Sequence, residues 1–128
     1  MSQAQISEHV RAFVDQYIDS AELLETLLLL HSGGDREWTP EQVAQSIYTV
    51  PAGAIRRLEQ LVEMGLVSSN GTMNPAYRFA PSTAALRGQV DDLAGAYKAN
   101  RVGVINLIYD RAADPLRSFS DAFRVRNG

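Results

Sequence analysis

The stretch Thr39–Val67, TPEQVAQSIYTVPAGAIRRLEQLVEMGLV, contains two short helical patterns, a tight turn between them and a glycine that releases the chain into a strand. Thr39 followed three residues later by Gln42 is a capping box: the hydroxyl can accept from a first-turn N–H, and Gln42 can reach back to the Thr39 N–H. Pro40 occupies the first helical position, where its missing N–H costs nothing. Trp38 and Val43 have the spacing of a hydrophobic staple, which fixes the entry angle of the chain. In the second pattern Ala54, Leu58 and Leu61 recur at the helical period and make one buried stripe. Gly65 is placed to supply a left-handed C-cap, after which Leu66 and Val67 continue as a strand.

Ala44, Ile47, Pro51, Leu58, Leu61 and the closing Gly65-Leu66-Val67 resemble the gapless helix-turn-helix of bacterial winged-helix transcriptional regulators. The resemblance covers roughly residues 20–81 and singles out no family within that superfamily. It implies a mainly α fold with a small β-hairpin, a winged helix-turn-helix carrying an N-terminal helix and long C-terminal dimerisation helices. Three parts are expected: an N-terminal helix in 1–19, the winged domain in 20–81 and a helical extension in 82–128.

A chain of 128 residues with 45% hydrophobic content can bury one proper core. With no cysteine, disulfides, thiolate metal sites and thiol redox sensing are excluded. The N-terminus has no basic region followed by an apolar run, and Leu27 to Leu30 is too short to span a bilayer. A soluble, cytoplasmic protein without membrane association is expected. The net charge of −3 is unevenly spread: residues 1–50 hold two arginines against eight acids, residues 51–128 ten bases against seven acids. A polyanion should therefore meet the second half.

Upstream, Ile6, Val10, Phe13, Val14, Tyr17 and Ile18 describe an amphipathic helix of about residues 4–18. Asp19 and Glu22 read as a second capping box, opening a leucine-rich helix that Gly33-Gly34-Asp35 ends. Glu37-Trp38 is a very short first strand. Downstream, Leu66–Ser69 and Ala76–Ala80 read as strands around the turn dipeptide Asn70-Gly71, forming the wing. Tyr77 and Phe79 should face inward and Arg78 outward.

After a cap at Ser82, the residues Leu86, Val90, Leu93, Tyr97, Asn100, Val104 and Leu107 alternate at four-three spacing, a coiled-coil-like seam. A continuous helix over 82–110 would be about 40 Å long, more than a small winged domain needs, and its natural use is a homodimer. The other reading packs this helix on its own N-terminal helix. Gly88, Gly95 and Gly103 argue against continuity, each costing about 1 kcal/mol in a helix interior. Asn100 is the one polar seam residue, of the kind that sets register. Asp114-Pro115 opens a last short helix with Leu116, Phe119 and Phe123 on one stripe and Arg117, Arg124 and Arg126 on another.

Chemistry is sparse. His9 and His31 have no ligand-type partner four residues on, and Glu22 with Glu25 and Asp91 with Asp92 read as solvated helix surface. No catalytic residue, cofactor or metal ligand is indicated, and an enzyme is not expected. Binding remains. Recognition helices read base edges from their N-terminal half, where this chain has Ala52, Gly53 and Ile55, leaving Arg56, Arg57 and Gln60 as hydrogen-bonding candidates. Arg56 and Arg57 could equally pair with Glu59 and Glu63. Asn70 and Arg78 would bring the wing to the DNA backbone. Two functions are open: a DNA-binding transcriptional regulator acting as a homodimer on double-stranded DNA, or a winged-helix module that docks a protein partner through Ile55 and the neighbouring small residues.

Overall fold

The computed structural model describes residues 6–113. The elements run α1 (Glu8–Tyr17), α2 (Ala21–Ser32), α3 (Pro40–Ile47), α4 (Pro51–Glu63), β1 (Val67–Ser69), β2 (Tyr77–Phe79), α5 (Ala84–Ala99) and α6 (Arg101–Ala113). The helix expected after Asp114-Pro115 lies outside the described residues.

Caps decide most of these boundaries. α3 begins with both bonds of its capping box, Gln42 N–H to the Thr39 hydroxyl at 3.2 Å and Thr39 N–H to the Gln42 side chain at 3.0 Å. At the other end of the motif Leu66 N–H donates to Leu61 C=O and Gly65 N–H to Val62 C=O, both at 3.0 Å. This pair of bonds is a Schellman motif, and it requires the left-handed φ of 78° that Gly65 adopts. Two expected caps move by one residue. Ser20, not Asp19, caps α2 by accepting from Leu23 N–H at 3.1 Å, and Thr83, not Ser82, caps α5 by accepting from Leu86 N–H at 3.0 Å. Glu22 is thereby released from the capping role.

β1 and β2 pair antiparallel with Val67 opposite Phe79, Ser68 opposite Arg78 and Ser69 opposite Tyr77. Tyr77 and Phe79 are buried and Arg78 is exposed, as the period of two requires. The expected first strand is reduced to one bridge, in which Trp38 and Tyr77 exchange N–H···O bonds of 2.7 and 2.8 Å.

The long seam helix is not continuous. Asn100 leaves the helical region at φ −151°, ψ 71°, ends α5, and accepts from Gly103 N–H at 3.0 Å through its side-chain oxygen. An asparagine side chain that can bond nearby backbone favours a cap over a helix interior. Asn100 therefore joins two helices rather than setting the register of one. α5 and α6 pack on each other and both pack on α1, while α2, α3 and α4 pack together with the hairpin against α4 and α2. One apolar core runs through both groups. Val90, Leu93 and Val104 are fully buried within it, and Leu86, Tyr97 and Leu107 pack half-buried against it. Three of the seven residues expected to face a second subunit are thus covered by the chain's own helices.

Candidate nucleic-acid interface

Residues 20–81 hold four arginines against seven acidic side chains, so what this region can offer a polyanion turns on where the four guanidinium groups go. Arg36 lies 3.7 Å from the centroid of the Trp38 ring, a cation–π contact. Arg57 is held from α2: its Nε–H donates to Glu22 Oε1 at 2.9 Å and its Nη1–H to Gln60 Oε1 at 2.7 Å. Gln60 in turn donates to Asp19 at 3.2 Å. Two of the three candidates on α4 are therefore engaged within the chain. The sequence alternative in which Glu59 and Glu63 take the arginines is not the one adopted, since Glu59 accepts instead from the Tyr77 hydroxyl at 2.7 Å. Arg56 and Arg78 are exposed and make no salt bridge among the described residues.

Asn70 serves the wing itself. Its side-chain oxygen accepts from Thr72 N–H, the Thr72 hydroxyl and Ala76 N–H at 3.1 to 3.2 Å. That oxygen closes the loop between the strands, so Asn70 shapes the wing that carries Arg78.

The turn before α4 is apolar and open. Tyr48 adopts a left-handed φ of 61° and is 93% exposed, Val50 is 64% exposed and Ile55 43% exposed. Val50 makes no side-chain cap bond, which leaves the first amides of α4 without an N-cap oxygen.

Glu22 and Thr49 were not identifiable as site residues from the sequence. Glu22 had the spacing of a capping partner, and instead its carboxylate accepts from Thr49 at 2.7 Å as well as from Arg57. Those two bonds and the nearby guanidinium charges hold its carboxyl below the usual range, against a smaller opposing effect of burial. The histidines also acquire partners: His9 meets Asp92 at 3.0 Å and His31 meets Asp91 at 2.8 Å. The adjacent aspartates of α5 thus tie that helix to α1 and α2 in turn, a pairing that no local pattern announces. Among the described residues there is no cluster of three or more side chains able to hold a metal ion, and no helix long and apolar enough to cross a membrane.

The sequence matches no protein-family model and no curated protein. Solved structures do resemble it. The reduced form of MarR from E. coli superposes with a TM-score of 0.52 at 10% identity, over 93% of this chain and 84% of that one. The multiple antibiotic-resistance repressor MarR of Listeria monocytogenes gives 0.50 at 12% identity, over 93% and 77%. A protein of the thermoacidophilic archaeon Sulfolobus tokodaii gives 0.50 at 20% identity, over 73% and 96%. At these identities the likeness concerns the fold, and the chain has the winged helix-turn-helix fold.

Proposed function

We propose that this protein is a DNA-binding transcriptional regulator that acts as a winged-helix homodimer in the cytoplasm. The observation that carries the reading is the exposure of Arg56 on α4 and Arg78 on the wing, the two elements that this fold presents to a duplex, with neither side chain spent on a salt bridge among the described residues. Arg56 lies nearest the base edges and reads sequence, while Arg78 meets the phosphate backbone and positions the wing. The dimer forms through residues 82–110, on a face that the described residues leave uncovered: Val102 and Tyr109 are 68% and 56% exposed, with half-buried Ile105 between them on the same stripe of α6. Selection from a random duplex library tests the function. One enriched motif is expected, with Arg56→Ala relaxing the preference by about 1 to 3 kcal/mol and Arg78→Ala weakening all sequences alike.

A second reading is favoured by one observation, the exposed Tyr48, Val50 and Ile55 at the entry to α4. These side chains suit a protein partner as well as thymine methyl groups. Ile55→Asp separates the two: loss of a co-purifying protein with no loss of duplex binding favours the partner.

A further inference from the structure

Glu22 makes contacts that a solvated helix carboxylate would not make. One oxygen accepts from Arg57 Nε at 2.9 Å and the other from the Thr49 hydroxyl at 2.7 Å, so a single side chain at the start of α2 grips both the turn before α4 and the middle of α4. The Arg57 side chain is only 21% exposed. The packing of α4 is fitted to this grip. A Cβ at Gly53 would stand 3.1 Å from Thr49 Oγ1 and 3.7 Å from both Glu22 oxygens, tighter than ordinary contact at the hydroxyl. A glycine inside a helix costs about 1 kcal/mol relative to alanine, and here it keeps open the space through which Glu22 and Thr49 meet. Gln60, on the other side of the guanidinium, is held by Asp19, which completes an anionic fence along the α2 side of α4.

We propose that Glu22 is a positioning residue that masks Arg57, so that α4 presents one arginine rather than two to a duplex. This rests on the DNA-binding reading above. Masking makes recognition depend on Arg56 and on the apolar residues beside it, and keeps low the sequence-independent attraction that a second free arginine would add. Each phosphate contact contributes about −0.9 to the slope of log affinity against log salt. With Arg56 and Arg78 engaged in both subunits of a dimer, the slope is expected to be about −3.6, and releasing both copies of Arg57 takes it to about −5.4.

The test is duplex binding by the full chain at several salt concentrations for the unmodified protein, Glu22→Gln and the double variant Glu22→Gln/Arg57→Gln. Glu22→Gln is expected to steepen the slope by about half, an additional loss of roughly 12-fold in affinity between about 50 and about 200 mM salt. The double variant is expected to return to the original slope, a rescue that general loosening of the fold would not produce. The Arg57 Nε–H proton resonance, followed without DNA, is expected to be protected from exchange in the unmodified protein and to lose that protection in Glu22→Gln. A Glu22→Gln protein that binds with the original slope, or a double variant as steep as the single one, overturns the masking role while leaving DNA binding intact. Absence of duplex binding in every protein tested overturns the DNA reading and the mask with it.

Discussion

The helix ends of the winged half, α2 to β2, are set by signals that act within a few residues of each other, whereas the layer of α1, α5 and α6 is tied down by contacts across long stretches of chain. Thr39 caps against Gln42, and Leu66 closes on Leu61. His31 meets Asp91 across 60 residues, and His9 meets Asp92 across 83. The difference teaches what periodicity can deliver. A four-three spacing identifies an apolar face, but it is silent on whether that face meets another subunit or an earlier helix of the same chain.

The largest expected effect tests that distinction. Leu93 is fully buried in the chain's own core, so Leu93→Ala is expected to cost about 2 to 5 kcal/mol in denaturant unfolding. The loss should be the same at low and high protein concentration. A stable monomer with lost self-association would return Leu93 to an intersubunit seam.

Gly65→Ala strikes the local code of the other half. Alanine at a φ of 78° would strain the backbone by about 1 to 2 kcal/mol, and its Cβ would stand 2.8 Å from Ser82 Oγ. Unchanged stability would show that the Schellman turn does not need a glycine here.

Smaller effects compare a cap from each half. Thr39→Ala and Asn100→Ala should each lower stability by about 1 kcal/mol. Asn100→Leu is the sharper variant. A buried amide in a continuous seam would be replaced with a gain in stability, whereas the interhelical cap seen at Gly103 is lost with any apolar side chain. A higher melting temperature for Asn100→Leu would contradict the break.

Legibility in the sequence follows the same divide. The capping box, the Gly65 terminator and the inward Tyr77 and Phe79 are readable because each rests on backbone chemistry within a short window. The caps at Ser20 and Thr83 fall one residue from the expected positions because Asp19 and Ser82 offer the same acceptor chemistry next door. The candidate surface is half legible: Arg56, Arg57 and Gln60 stand at helical spacing, but only the fold brings Glu22 and Asp19 against the last two. Glu22 in particular fitted a local role so well that its distant one was hidden.

Two pH effects, smaller again, separate the polar contacts of α4. The carboxyl of Glu22 sits below its usual range because of Thr49 first and then Arg57. Its contribution to stability is therefore full above the ordinary carboxylate range and disappears as pH falls through the lowered value. The stability gap between the unmodified protein and Glu22→Gln should close on acidification. Tyr77 behaves in the opposite sense. Burial, and then the bond to Glu59, push its phenol up to about 12. Its contribution is full below the ordinary value of about 10 and is lost as pH rises towards 12. The gap to Tyr77→Phe should therefore close at alkaline pH, and a gap that stays constant would deny the Glu59 bond.

The measurement that bears most directly on the function is a fluorescence-anisotropy titration of labelled duplex DNA at low salt, comparing the unmodified chain with Arg56→Ala/Arg78→Ala. Saturable binding that weakens with added salt is expected for the first and near-complete loss for the second. An unmodified protein that leaves the duplex free, or a double variant that binds as well as its parent, would contradict the assignment of Arg56 and Arg78 to DNA.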